Sequence, residues 1–292
     1  MRLFLREWQV AYRKLPQGSI LTDLETPFVV IPNTPRYSAA DPFLFRDNGF
    51  TYLFAEIYDK KEGLGKIGYS VFDGDKFSPW KIVIQETYHL SYPNIFRWNG
   101  EIYIVPEANE SRTLYAYKAV SFPDQWGKCE PILTDRRLTD TTFFDDTSGT
   151  HWMFTYDIEK NSQKKLYLYV IDEAGHLTQC TDSFISDDDG SARPGGNFFR
   201  HKGEPIRVSQ DCTGDYGVAV VFSKVISCSY KGYAEESILR VGPGDIKVNK
   251  RFLSGLHTYN ANDSFEVIDL HVTDFDPMTQ VRRILEKLGI WR

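Results

Sequence analysis

A segment of similar design recurs four times in this chain. Each copy starts at a phenylalanine and reads as a short strand, a glycine-containing turn and a second apolar strand that stops at a polar residue. The copies cover residues 45–56, 96–107, 144–156 and 199–210, so that successive leading phenylalanines stand 51, 48 and 55 residues apart. A hairpin that recurs at this period is typical of a β-propeller, in which each repeat builds one blade. The repeat therefore predicts an all-β fold of the propeller type.

A second pair of strands follows the opening hairpin of each repeat. In the first repeat, strands at 66–72 and 80–84 flank the dipeptide Asp73-Gly74, which favours a hairpin turn. A fifth, weaker repeat at 256–259 and 265–271 is one strand short, and we expect residues 28–31 to supply that strand and close the ring. The sequence thus predicts a five-bladed β-propeller over residues 1–275, with no room for a second large domain.

The last residues predict a short amphipathic helix over 276–292. Asp276 fits the N-cap, Pro277 the first helical position and Gly289 the C-cap. The apolar residues between them have helical spacing: Val281, Ile284, Leu285 and Leu288. We expect this helix to dock on the propeller, with self-association as the alternative use of its apolar face.

Composition and charge exclude several classes of protein. A formal net charge of −6, without any run of basic residues, argues against nucleic-acid binding. The charged N-terminus (Arg2, Arg6, Glu7) lacks the apolar core of a signal peptide, and no stretch approaches the ~18 apolar residues of a membrane span. We therefore predict a cytoplasmic protein without a transmembrane segment. The four cysteines are widely spaced, as expected of reduced structural thiols: Cys129, Cys180, Cys212 and Cys228.

Propeller geometry predicts which side chains meet. The innermost strand of a blade runs along the central axis and the next strand runs back, so the start of the first and the end of the second share one mouth of the channel. The starts hold Asp41, His89, Tyr92, Asp140, Arg193 and His257, and the ends hold Glu56, Glu107, Tyr156, Gln210 and Asp211. We predict that these side chains surround one pocket.

Carboxylates that crowd a pocket indicate carbohydrate chemistry. One can act as a base on a hydroxyl while a neighbour shifts its pKa, and acids that flank a sugar ring stabilise an oxocarbenium-like transition state. Taken singly, these acids have structural alternatives, since Asp41 precedes a proline and can start a turn, while Glu56 and Glu107 can be exposed strand ends. No cofactor is required; Ca²⁺ could occupy the acidic pocket, although no ligand spacing demands a metal.

Two motifs resemble those of five-bladed propeller glycosidases of family 43, the arabinanases and xylosidases. Ala-Asp-Pro-Phe at 40–43 resembles their first blade, and Thr-Asp-Thr-Thr-Phe-Phe-Asp-Asp at 139–146 resembles their third. The resemblance implies that Asp41 is a general base and that Asp140 orients it and tunes its pKa. The glycosidases keep their general acid, a glutamate before Gly-Pro, at the start of the fourth blade, where this chain has Arg193.

Five further motifs extend the resemblance over most of the chain. They are His-Leu-Ser-Tyr-Pro at 89–93, Val-Pro-Glu at 105–107, Phe-Pro-Asp-Gln-Trp at 122–126, Ser-Ala-Arg-Pro-Gly-Gly at 191–196, and Gln-Asp-Cys at 210–212 followed by Tyr-Gly at 216–217. From about residue 25 to about 240, the chain more closely resembles the N-terminal domain of plant glucosamine inositolphosphorylceramide transferases and of bacterial relatives linked to surface polysaccharide synthesis. In the plant relatives, the transfer chemistry belongs to a separate C-terminal domain.

The arginine at the acid position directs the functional prediction. Arginine cannot protonate an alkoxide leaving group, but it can bind a phosphate through two hydrogen bonds. We therefore predict a glycosyltransferase-like enzyme that moves a sugar from a sugar nucleotide or phospho-sugar to a glycan acceptor. Asp41 would deprotonate the acceptor, Asp140 would tune it, Arg193 would hold the donor phosphate and Glu107 would bind sugar hydroxyls. Two alternatives stay open: a glycoside hydrolase or phosphorylase in which Glu107 supplies the acid, and a non-catalytic glycan-binding module.

Overall fold

The computed structural model describes residues 4–15, 19–159, 164–180, 184–249 and 252–275, together with Val281. Its strands form five separate antiparallel sheets, one for each blade of a propeller. This confirms the predicted all-β, five-bladed architecture. The predicted helix over 276–292 lies outside the described residues, apart from Val281. Among the described residues, no helix has the length and apolar character needed to cross a membrane.

Four blades each contain four strands that are consecutive in the chain, whereas the first two strands, β1 (Phe4–Lys14) and β2 (Val29–Val30), belong to the last blade. The first blade comprises β3 (Tyr37–Asp47), β4 (Phe50–Asp59), β5 (Leu64–Val71) and β6 (Lys81–Ile84). The second comprises β7 (Ser91–Trp98), β8 (Glu101–Glu107), β9 (Thr113–Ser121) and β10 (Gln125–Thr134), with a 3₁₀ turn at Asn109–Ser111. The third comprises β11 (Leu138–Asp145), β12 (His151–Asp157), β13 (Lys165–Ile171) and β14 (Leu177–Gln179). The fourth comprises β15 (Phe199–His201), β16 (Glu204–Asp211), β17 (Ala219–Ser229) and β18 (Gly232–Val241).

The fifth blade joins the two ends of the chain and closes the ring. Its C-terminal strands are β19 (Leu253–Gly255), β20 (Tyr259–Ala261) and β21 (Phe265–Phe275). Strand β1 pairs with β21 along its whole length, from Phe4 opposite Phe275 to Lys14 opposite Phe265. The expectation that residues 28–31 close the ring was therefore wrong in its main part. Val29 and Val30 form only β2, the short outer strand of this blade. The fifth repeat was two strands short rather than one, and the second missing strand is β1, which lies outside the repeating pattern.

The closing strand is held by packing and by a buried ion pair. Val10 and Ala11 of β1 are fully buried against apolar side chains of β21 and of neighbouring blades. Arg13 places its Nε 2.5 Å from Oε2 of Glu266, and its other guanidinium nitrogens donate to the backbone carbonyls of Asp23 and Thr26. A buried charge that is paired and hydrogen-bonded in this way fixes the register of the two strands.

A β-bulge interrupts three of the inner strands at the same position. In β3, β7 and β11, two residues oppose a single residue of the next strand, and the first of the two has a left-handed backbone. These residues are Asp41 (φ 50°), Tyr92 (φ 45°) and Asp140 (φ 49°). Bulges re-aim side chains, and left-handed residues other than glycine concentrate at functional positions. The repeated bulge therefore marks one mouth of the channel as the candidate site.

Candidate functional site

A cavity of about 560 Å³ opens at the mouth of the propeller that carries the bulges. Six of the predicted residues line it: Asp41, Glu56, His89, Glu107, Arg193 and His257. They come from four of the five blades, or from the loops that lead into them; the third blade contributes none of the six. The structure thus brings together the side chains that the blade register predicted to meet.

Asp41 is held at the floor of this cavity by contacts from two other blades. The Tyr92 N–H donates to its Oδ2 at 3.1 Å, and the Thr258 hydroxyl donates to its Oδ1 at 2.8 Å. The bulge makes these contacts possible by turning the Asp41 side chain out of the ordinary strand alternation. Burial raises the pKa of the Asp41 carboxyl to about 7; His257 opposes the rise and the nearby carboxylate of Asp269 adds to it.

His257 lies between two carboxylates. Its Nδ1 is 2.6 Å from Oδ2 of Asp269, and its Nε2 is 3.6 Å from Oδ1 of Asp41. The indole of Trp8 stacks on the imidazole, with ring centroids 3.9 Å apart and planes 9° from parallel. Burial by itself would lower the pKa of His257, but the two carboxylates outweigh it and raise that pKa to about 9. The imidazolium form is therefore the counter-charge of the acids at the floor.

Arg193 joins two acids of different blades. Its Nε donates to Oδ2 of Asp140, and its Nη2 lies 3.8 Å from Oε2 of Glu107. Gln210 also donates to Oδ2 of Asp140, at 3.2 Å, so this buried carboxylate is well satisfied. Burial, reinforced by Asp140, raises the pKa of Glu107 to about 8 even though Arg193 opposes the rise. Glu107 is consequently an acid that keeps its proton near neutral pH.

Glu56 and His89 form a second carboxylate–imidazole pair on the cavity wall. Oε1 of Glu56 lies 3.2 Å from Nε2 of His89. The Gly65 N–H donates to Nδ1 of the same ring at 3.0 Å, which leaves Nε2 as the ring nitrogen that faces Glu56.

Five of the predicted site residues lie at or beyond the edge of the cavity. One of them is Tyr156, a buried residue of β12. Asp140 and Gln210 sit beneath Arg193 and support it. Tyr92 contributes its backbone N–H, while its fully buried ring points into the core and bonds the Thr142 hydroxyl at 2.8 Å. Asp211 instead accepts hydrogen bonds from Thr213 and from Arg240 Nε, at 2.7 Å for the latter, and it is not among the described residues that line the cavity.

The chain matches a known protein family over most of its length. The family described as "Glucosamine inositolphosphorylceramide transferase 1, N-terminal" matches residues 28–256. This chain belongs to that family. It is 34% identical over 213 residues to glucosamine inositolphosphorylceramide transferase 1 of Arabidopsis thaliana, covering 70% of this chain and 28% of that protein. For the protein of that name from Oryza sativa subsp. japonica, the identity is 31% over 235 residues, covering 77% and 31%. The chain thus spans less than a third of the length of these relatives.

Several solved structures with the same architecture are glycoside hydrolases. A thermostable family-43 glycoside hydrolase aligns with a TM-score of 0.56 at 14% identity, over 83% of this chain and 91% of the other. The α-L-arabinofuranosidase of Podospora anserina, solved with cellotriose, aligns with a TM-score of 0.55 at 11% identity, over 85% and 95%. At these identities the likeness shows the fold alone.

Three residues of the site were not predicted from the sequence: Trp8, Asp269 and Tyr216. Trp8 was missed because β1 lies outside the repeat. Asp269 stands in the otherwise apolar run Val-Ile-Asp-Leu. An acid in a buried strand is rare unless it is paired, so this position could have been recognised as a candidate site residue. Tyr216 forms an edge contact with His257 at 5.1 Å and holds Arg193 4.9 Å above its ring. It belongs to the Tyr-Gly motif quoted above for the resemblance.

The only described group of side chains close enough to share a metal ion is Asp41, His257 and Asp269, with one atom of each within 4.8 Å of the others. Calcium takes six to eight oxygen ligands. This group offers a ring nitrogen and two carboxylates, and Asp269 is already occupied by the N–H groups of Asp41, His257 and Thr258. The group therefore does not fit Ca²⁺, which the sequence left as a possible occupant of the pocket.

Proposed function

We propose that the central cavity transfers a sugar from a phosphate-activated donor to a hydroxyl of a glycan or glycolipid acceptor, in glycolipid or surface polysaccharide biosynthesis. The observation that carries the proposal is the position of Arg193. Its guanidinium lies in a cavity lined with acids, between Asp140 and Glu107, and its side chain remains 18% exposed. The names of the relatives support this class of reaction.

Asp41 is the proposed general base. A base is most effective when its pKa lies near the working pH, and burial brings the pKa of Asp41 to about 7. The acceptor hydroxyl gives its proton to Asp41 as its oxygen forms a bond to the anomeric carbon. The bond between that carbon and the donor oxygen breaks, and the phosphate departs with the electron pair.

Arg193 is the proposed partner of the departing phosphate. Its Nε is engaged by Asp140, which fixes the plane of the guanidinium. Within the part of the chain that the structure describes, the two terminal nitrogens make no hydrogen bond, so both remain available to phosphate oxygens. Asp140 thus serves as the residue that positions Arg193, whereas the resemblance to the glycosidases implied that it orients Asp41.

Glu107 favours hydrolysis as a second candidate reaction. A carboxyl that keeps its proton near neutral pH can protonate a glycosidic oxygen as well as donate a hydrogen bond to a sugar hydroxyl. The first role would make this a glycosidase with its acid on the second blade. A third candidate, sugar binding without turnover, is favoured by the fact that the chain spans under a third of its relatives.

Product analysis separates the three candidates. The purified chain is incubated with a panel of nucleotide sugars and a glycolipid acceptor, and in parallel with aryl glycosides. Transfer predicts an acceptor that gains one sugar together with free nucleotide, and this product is lost in Arg193→Ala. Release of free sugar from aryl glycosides, lost in Glu107→Gln, would instead establish hydrolysis. Binding of sugars without any product would establish a binding module.

A further inference from the structure

A second, smaller cavity adjoins the central one. It has a volume of about 280 Å³ and lies at the end of the third and fourth blades. Arg193 and Tyr216 line both cavities, so these two side chains form the wall between them. The remaining contacts of the small cavity come from Tyr156, Lys164, Cys212 and the loop residues Gly214 and Asp215. A molecule that passes beside Arg193 would therefore occupy two adjoining compartments.

The small cavity contains a cation that has no partner among the residues that the structure describes. Lys164 is exposed, and no ion pair or hydrogen bond connects its ammonium group to any described residue. Lys60, on the rim of the central cavity, is by contrast paired, since its Nζ lies 2.5 Å from Oε2 of Glu7. Arg193 adds a second positive charge from the shared wall. The acid of the small cavity, Asp215, accepts the N–H of Tyr216 at 2.8 Å.

The loop beside Lys164 also offers backbone donors. Gly214 has a left-handed backbone, with φ of 84°. In the described part of the chain, the N–H groups of Gly214 and Asp215 reach no acceptor. Successive free N–H groups around a left-handed residue form a concavity that suits anions. Two cations and two backbone donors thus line a space of about 280 Å³.

We propose that this small cavity binds the phosphate moiety of the activated donor, while the sugar occupies the central cavity beside Asp41 and Glu107. The inference rests on the proposed function and adds a separate subsite, with Lys164 as a binding residue. The central cavity, rich in carboxylates, suits sugar hydroxyls. The small cavity suits an anion. Arg193, which lines both, stands where the bond between sugar and phosphate would lie.

Inorganic pyrophosphate is the probe for this subsite. Its affinity is measured by titration calorimetry at low ionic strength, for the full chain and for two variants. Lys164→Gln should weaken binding about ten-fold, the effect of one lost charge-assisted contact. Lys60→Gln, which removes a cation from the rim of the central cavity, should leave the affinity unchanged. Circular dichroism checks that both variants keep the fold.

Three results would overturn the inference. They are an absence of pyrophosphate binding, equal affinity of Lys164→Gln and the unaltered chain, or a loss in Lys60→Gln that matches the loss in Lys164→Gln. The last result would mean that the anion binds through general charge or in the central cavity. These outcomes are independent of turnover. If pyrophosphate binds through Lys164 but no sugar is transferred, the subsite stands and the proposed function fails.

Discussion

His257 and Asp269 form a fully buried imidazole–carboxylate pair, with Nδ1 and Oδ2 2.6 Å apart, directly behind Asp41. The Asp269 carboxylate also accepts the backbone N–H groups of Asp41, His257 and Thr258. One side chain therefore connects the inner strand of the first blade to that of the fifth. The pair fixes the floor of the site and the closure of the ring together.

Replacing Asp269 by asparagine should destabilise the fold strongly. The substitution removes the negative charge that pairs with His257, and it places an amide N–H₂ against the backbone N–H groups that now donate to Asp269. Breaking a buried ion pair in this way typically lowers the free energy of unfolding by about 3–5 kcal/mol. Asp145→Asn is the matched control, because Asp145 contacts His151 at a similar distance of 2.7 Å but is exposed. That variant should lose less than about 1 kcal/mol. Urea unfolding of both variants measures the difference, and equal losses would contradict the account.

Glu107→Gln should change how stability depends on pH. The folded state raises the pKa of Glu107 from 4.5 to about 8, so the folded protein binds more protons than the unfolded chain between these values. The contribution of Glu107 to stability is therefore complete below pH 4.5 and is lost as the pH rises through about 8. Glutamine does not ionise, so the Glu107→Gln variant does not lose this stability as the pH rises.

The free energy of unfolding of Glu107→Gln, relative to the unaltered chain, should thus increase between pH 5 and pH 9, on the order of 1–3 kcal/mol. Asp41 and His257, whose pKa values are also raised, keep a falling slope in both proteins. Denaturant unfolding at four or five pH values gives the two curves. Parallel curves would show that Glu107 does not hold its proton in the folded protein.

The closing strand β1 should matter far more than the strand that the repeat suggested. Val10 of β1 is fully buried, whereas Val29 of β2 is 55% exposed. Val10→Asp puts an unpaired carboxylate into the core and should cost more than about 4 kcal/mol. Val29→Asp should stay within about 0.5 kcal/mol of the unaltered chain. Thermal unfolding of both variants checks the contrast, which would be reversed if residues 28–31 closed the ring.

The repeat was sufficient to predict both the fold and the mouth of the channel where the site lies. It placed Asp41, Glu107 and Arg193 at one end of different blades because propeller symmetry relates equivalent positions. The repeat did not predict Trp8, which lies outside the repeating hairpin. It did not predict Asp269 either, because that residue stands inside the second strand of the fifth repeat, whereas the prediction selected only strand ends. The sequence also did not predict which way each side chain points. Tyr92 lies at the predicted mouth of the channel, but the bulge turns its ring into the core. Asp211 pairs with Arg240 of β18, which lies two strands away in the same sheet, so this contact depends on register.

The rate of donor consumption as a function of pH tests the central claim most directly. The measurement compares the unaltered chain with Asp41→Asn, using the nucleotide sugar that the product analysis selects. For the unaltered chain, kcat/KM should rise with pH and level off above about 7, as Asp41 ionises. Asp41→Asn should be slower by about 100-fold or more and should lack this rise. An unchanged rate and pH profile in Asp41→Asn would contradict the account.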